Sequence, residues 1–119
     1  MTMAKVLIVD DSKYLRLMIR KILEKNGHTI VAEVETGLEA IEQYQQNMPD
    51  VVTMDIVMPK MNGLMAVQQI MELDPQARIV IVTAVENEPL VRQALKKGVK
   101  DFVIKPFKNI QLVKLLKTL

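Results

Sequence analysis

Lys5-Val6-Leu7-Ile8-Val9-Asp10-Asp11-Ser12 carries four aliphatic residues straight into two aspartates and a serine. An unbroken apolar run this short reads as a strand buried on both faces, since no polar residue alternates along it. Ser12 then stands where a helix needs an N-cap. Leu15, Met18, Ile19, Ile22 and Leu23 follow at helical spacing, and Asn26-Gly27 can end the helix. The chain thus opens with a strand, an acidic turn and an amphipathic helix.

The same unit recurs to the end of the chain. Residues 50–54, 78–82 and 101–104 are further short apolar runs, and residues 29–34, Thr-Ile-Val-Ala-Glu-Val, form a less uniformly apolar one that suits a sheet edge. Between them lie helical patterns. Thr36-Gly37-Leu38-Glu39 reads as a capping box ahead of Ile41 and Tyr44. Asn62-Gly63 precedes Leu64, Val67 and Met71, a stretch stopped by Asp74-Pro75. Pro89 opens a helix with Val91, Ala94 and Leu95, and the last helix carries Leu112, Leu115, Leu116 and Leu119. Five βα units predict an α/β fold, a doubly wound open parallel sheet with right-handed crossovers. With 119 residues, ordinary hydrophobic content and no linker or repeat, residues 1–119 are expected to form one domain.

Composition excludes several classes. The chain has no cysteine, so disulfides and thiolate metal sites are impossible, as suits a reducing cytoplasm. Its aliphatic runs are far shorter than the about 20 residues of a membrane span, and Lys5 is followed by too few apolar residues for a signal sequence. A cytoplasmic location without membrane attachment is expected. Net charge is only +2, yet Arg92, Lys96, Lys97, Lys100, Lys105, Lys108, Lys114 and Lys117 face only Asp101 in the last stretch. That bias reads either as solvated helix faces or as a partner surface. Scarce aromatics and the lack of a helix-turn-helix or zinc-finger pattern argue against nucleic acid.

In open parallel sheets ligands gather outside the carboxyl ends of the strands. There this chain puts Asp10 and Asp11 after strand one, Asp55 after strand three, Thr83 after strand four and Lys105 after strand five. Singly, each has a plain reading: a loop aspartate or helix cap, a β-branched strand end, a solvated lysine. Together they suggest chemistry. Three clustered carboxylates repel one another unless a cation joins them, and Mg²⁺ suits an open site because it keeps waters and takes one or two carboxylates plus phosphate oxygens. An ionised aspartate is a competent nucleophile toward phosphorus, and an ammonium and a hydroxyl can share the charge on the transferred group.

Val-Leu-Ile-Val-Asp-Asp-Ser (6–12), Met-Asp-Ile-Val-Met-Pro-Lys-Met-Asn-Gly (54–63), Val-Thr-Ala (82–84) and Lys-Asp-Phe-Val-Ile-Lys-Pro-Phe (100–107) together resemble the CheY-like receiver domains of response regulators, over essentially the whole chain. The resemblance implies a flavodoxin-like sheet of order 2-1-3-4-5. It implies phosphorylation of Asp55 by a sensor histidine kinase or phosphotransfer protein, and Mg²⁺ held by Asp10, Asp11, Asp55 and the Val57 backbone carbonyl. Lys105 and Thr83 would contact the phosphoryl group, and Lys105-Pro106 would be cis. Thr83 and Phe102 would act as the switch, without the phenolic hydroxyl of members that carry tyrosine there. Output would pass to a protein target through the face of the fourth helix, fifth strand and fifth helix. Such a switch, as in chemotaxis-like two-component systems, is no enzyme beyond its own phosphorylation and dephosphorylation.

Three rivals share parts of this pattern. A Mg²⁺-dependent phosphohydrolase of the haloacid-dehalogenase type wants an acidic residue two positions after its nucleophile, where this chain has Val57. A flavin carrier wants a Ser, Thr and Gly-rich phosphate loop where Asp10-Asp11-Ser12 stands. A receiver-shaped module that is never phosphorylated typically lacks one of the acidic residues or the lysine, and none is missing here. The one histidine, His28, near the start of the edge strand, is expected to be structural or solvated.

Overall fold

The computed structural model describes residues 1–119. Strands β1 (Lys5–Val9), β2 (Thr29–Val34), β3 (Val51–Met54), β4 (Ile79–Ala84) and β5 (Asp101–Lys105) alternate with helices α1 (Lys13–Lys25), α2 (Gly37–Asn47), α3 (Gly63–Leu73), α4 (Glu88–Lys96) and α5 (Asn109–Lys117). A 3₁₀ turn, Val85–Asn87, leads into α4. All strand pairs are parallel and their order is β2-β1-β3-β4-β5, the expected doubly wound sheet.

Helices cover both faces, which is why the central strands are apolar but for the exposed Lys5 that opens β1 and the buried Thr53 of β3 and Thr83 of β4. Leu7, Val9, Val52, Met54, Ile79 and Ile81 pack against α2, α3 and α4 through Ala40, Ile41, Tyr44, Ala66, Val67, Ile70, Val91 and Ala94. Val6, Ile8, Val51, Val80, Val82 and Val103 pack on the other side against Ile19, Ile22 and Leu23 of α1 and Leu112, Leu115 and Leu116 of α5. β2 is an edge, as its mixed composition suggests; β5 is the other, and its outer residues Asp101 and Phe102 are exposed. Each buried Leu, Ile or Val contributes about 1.5–3 kcal/mol.

The Ser12 and Thr36 caps read from sequence form, and Asn62 caps α3 as well. Ser12 Oγ accepts the Leu15 N–H at 3.2 Å, Asn62 Oδ1 accepts the Met65 N–H at 3.0 Å, and Thr36 Oγ1 accepts the Glu39 N–H at 3.2 Å. The box at Thr36 closes differently from expectation, because Glu39 takes the Thr36 hydroxyl proton at 3.0 Å and not its backbone N–H. α1 ends at Asn26 and Gly27, whose φ of 90° favours glycine.

Several boundaries and faces differ from the sequence reading. β4 and β5 run further than 78–82 and 101–104, since Thr83 pairs with Ile104 and Ala84 with Lys105. Thr83 and Lys105 therefore lie within strand ends and not after them. Asp50 falls outside β3, where its N–H meets the Lys5 carbonyl and its carboxylate accepts the Lys5 N–H at 2.8 Å. Leu95 is exposed because α4 faces the core with Val91, Ala94 and the partly buried Leu90, and Val113 joins the α5 face while Leu119 is half-buried. His28 is buried, its Nδ1 accepting the Ala4 N–H at 3.0 Å.

Candidate functional site

Sheet register builds the site. Val9 lies opposite Met54, so the next residues of the two central strands, Asp10 and Asp55, stand side by side at the carboxyl edge. Their backbones continue the ladder: Asp10 N–H meets the Val34 carbonyl at 3.1 Å, and Asp55 N–H meets that of Val9 at 3.0 Å. Asp11, one residue further, is exposed. One carboxylate oxygen from each of Asp10, Asp11 and Asp55 lies within 4.8 Å of the other two.

Each buried oxygen has a partner. Asp10 Oδ1 accepts the Ser12 N–H at 2.9 Å, and its Oδ2 accepts from Lys105 Nζ at 2.9 Å. Asp55 Oδ2 accepts from the same ammonium at 3.2 Å, while its Oδ1 accepts the Thr83 hydroxyl at 2.9 Å and the Val57 N–H at 3.2 Å. Lys105 reaches them from the end of β5, and the Lys105–Pro106 peptide is cis. Burial raises the Asp10 carboxyl above its usual range, against the lowering by Lys105 and Ser12. Burial alone would lower Lys105, but the hydrogen bond and charge of Asp10 and then the charge and hydrogen bond of Asp55 outweigh it. The ammonium is held charged between two carboxylates.

The loop after Asp55 is shaped by a close approach. Gly63 N–H donates to the Ile56 carbonyl at 2.7 Å, and a Cβ on Gly63 would stand 2.6 Å from the Ile56 Cα. Only glycine lets the start of α3 sit against the Asp55 loop. The ligand atoms that the three aspartates offer are all carboxylate oxygens, on an open edge, and this set fits a hard divalent cation such as Mg²⁺.

Of the site residues singled out in sequence, Asp10, Asp11, Asp55, Thr83 and Lys105 converge here and Val57 turns its N–H to Asp55, whereas Phe102 stands further back on β5, opposite Ile81, and is partly exposed. Two residues were missed. Arg16, buried on α1, donates from Nη1 to the Asp10 carbonyl at 2.7 Å and pairs with Glu33 at 3.4 Å and Glu35 at 3.5 Å. Its signal was present: Arg16 stands three residues before Ile19, inside the apolar stripe. Asn87 donates from Nδ2 to Thr83 Oγ1 at 3.0 Å, and nothing in its sequence context marks it.

The chain matches the response regulator receiver domain over residues 6–117. It belongs to that family. It is 44% identical to the chemotaxis protein CheY of Thermotoga maritima over 94% of this chain and 93% of that protein. It is 48% identical to CheY of Bacillus subtilis over 87% of this chain and 86% of that one. Among solved structures it resembles a chain of the CheX-CheY-BeF3-Mg²⁺ complex of Borrelia burgdorferi, with a TM-score of 0.91 at 35% identity over 96% of this chain and 87% of that one. A receiver domain of the CheY type is a phosphorylation-dependent signalling switch of two-component systems, and this receiver has the fold and the acidic cluster of one. No helix is long and apolar enough to cross a membrane.

Proposed function

We propose that this receiver accepts a phosphoryl group on Asp55 from the phosphohistidine of a sensor kinase or phosphotransfer protein. The observation that carries the reading is the placement of Asp55 between two further carboxylates and two hydrogen-bond donors, Lys105 and Thr83. Asp10, Asp11, Asp55 and the Val57 backbone carbonyl would hold Mg²⁺, which when bound offsets the clustered negative charge and that of the phosphoryl oxygens. In the transfer an Asp55 carboxylate oxygen attacks phosphorus, an O–P bond forms, and the N–P bond breaks with its electron pair returning to the imidazole. Lys105 and Thr83, already bonded to Asp55, are placed to take phosphoryl oxygens.

The wider reading follows from the CheY relatives. Residues 1–119 act as one cytoplasmic switch, chemotaxis-like in its circuitry, with no enzymatic role beyond its own phosphorylation and dephosphorylation. A protein target docks on the face of α4, β5 and α5. Lys96, Lys97, Lys100 and Lys108 are exposed there, which suits an acidic or mixed-charge partner whose association slows as salt rises.

Intact-mass measurement after exposure to phosphoramidate tests the core of this. The expected result is one added phosphoryl on the wild type with Mg²⁺, none on Asp55→Asn, and none with excess chelator. Equal labelling of Asp55→Asn, or labelling indifferent to chelator, would overturn the assignment.

A further inference from the structure

We infer that Asn87 is a positioning residue, fixing the Thr83 hydroxyl as a donor to Asp55 and tying the start of α4 to the state of that carboxylate. The inference rests on Asp55 being the phosphoacceptor.

Thr83 is fully buried, and its hydroxyl has one proton to give. An ionised Asp55 only accepts, so the 2.9 Å contact between Thr83 Oγ1 and Asp55 Oδ1 uses that proton. The 3.0 Å contact between Thr83 and Asn87 then has one possible polarity, with the amide nitrogen donating. Asn87 N–H, Thr83 O–H and Asp55 carboxylate form a head-to-tail chain in which each bond polarises the next. The proton on Thr83 cannot turn away from Asp55 toward Asn87, because no lone pair faces it there.

A second observation is that the Asn87 side chain is not engaged with its own helix. Asn87 is the N-cap residue of α4, and asparagine is among the best N-caps because its side chain normally accepts a backbone N–H of the first turn. Here its side chain makes no cap hydrogen bond. It reaches back four residues to Thr83, leaving the first turn of α4 without that partner.

The consequence is mechanical. Asn87 closes the 3₁₀ turn Val85–Asn87, so its amide joins the Thr83 hydroxyl directly to the backbone that begins α4. When Asp55 carries a phosphoryl group and the Thr83 hydroxyl follows the new oxygens, the turn and the first residues of α4 move with it. Without the amide, Thr83 still turns but α4 is not drawn along.

Amide NMR shift changes on beryllofluoride binding, followed at Glu86, Glu88 and Leu90, test this in wild type, Asn87→Ala, Thr83→Ala and the double variant. Asn87→Ala is expected to reduce those changes at least twofold, and to add nothing in the Thr83→Ala background. Asn87→Asp has the same shape but can only accept from Thr83, and is expected to behave like Asn87→Ala while keeping the packing. Phosphoramidate labelling of Asp55 should still reach the wild-type end point in Asn87→Ala. Wild-type shift changes in both Asn87 variants, or additive effects of Asn87→Ala and Thr83→Ala, would overturn the positioning role. Failure of wild-type Asp55 to label would instead overturn the reading on which it rests.

Discussion

Thr83 and Phe102 stand on the same face of neighbouring strands. Phe102 lies opposite Ile81 in the parallel ladder, and side chains alternate along a strand, so Ile81 and Thr83 share the face that Phe102 presents. Thr83 is buried and bonded to Asp55, while Phe102 is 36% exposed. On the proposed phosphorylation of Asp55, movement of Thr83 toward a phosphoryl oxygen would open space on the face that it shares with the ring. Phe102 is expected to shift toward the buried side when beryllofluoride binds, and its inward rotamer to be sampled beforehand, since a ligand shifts an existing equilibrium. Aromatic NMR of Phe102 checks this: the shift should vanish in Thr83→Ala, and a ring indifferent to beryllofluoride in the wild type would refute the coupling.

The fold was legible because each βα unit carries its own signals. The run Val6 to Val9 is apolar on both faces, and Ser12 and Thr36 cap their helices, although the box at Thr36 does not close on its backbone N–H. The carboxylate cluster was legible because strand ends in a parallel sheet share one edge, which Asp10, Asp11 and Asp55 all mark. What the sequence hid depends on pairing across strands. The length of β4 is set by its ladder with β5, so Thr83 could not be seen to lie inside it. The exposure of Leu95 depends on how α4 sits, and the link from Asn87 to Thr83 depends on the turn between them.

His28 gives the fold a pH dependence near neutrality. Burial, and next the positive chain terminus, push its imidazole below the ordinary 6.5. The Ala4 N–H also needs an unprotonated Nδ1. The unfolded chain therefore takes up the proton first, so this contribution is complete above pH 6.5 and is lost as pH falls toward the depressed folded value. Loss of the hydrogen bond sets the scale at about 1 kcal/mol. Urea midpoints at pH 7.5 and 5.0 should fall further for the wild type than for His28→Gln; parallel falls would count against His28.

Arg16 holds the acidic turn in place. Its guanidinium donates to the buried carbonyl of Asp10 and is matched by Glu33 and Glu35, so it fixes the backbone beneath two of the clustered carboxylates without adding unpaired charge. Arg16→Met is expected to cost about 2 kcal/mol of stability, the scale of a charged hydrogen bond left unmade, with the partly exposed glutamates adding little. It should also weaken Mg²⁺ binding several-fold by calorimetry. Arg20 pairs with Glu33 and Glu24 but makes no hydrogen bond to Asp10, so Arg20→Met should leave Mg²⁺ binding unchanged. Equal weakening by both substitutions would show a general loss of fold and not a local anchor.

The lifetime of the phosphorylated form should be set by two exposed valines. Hydrolysis requires a water in line with the Asp55 oxygen to phosphorus bond, and a polar side chain usually orients it. Val57 and Val85, 50% and 62% exposed, follow Asp55 and Thr83 by two residues each, and neither side chain can hydrogen-bond a water. Their exposure leaves room for larger polar side chains without disturbing the core. Each 1.4 kcal/mol of water positioning is about tenfold in rate, so a single added hydrogen bond should speed phosphate loss by about that factor. Glu88 is already engaged with Arg92 at 3.1 Å, which leaves Glu86 as the neighbouring acid free of an ion pair. Phosphate release from wild type, Val57→Asn, Val85→Glu and Glu86→Gln under the same Mg²⁺ separates the contributions. Faster loss is expected in the first two variants and no change in the third; a marked slowing in Glu86→Gln would make Glu86, and not the absence of a polar group at 57 and 85, the determinant of lifetime.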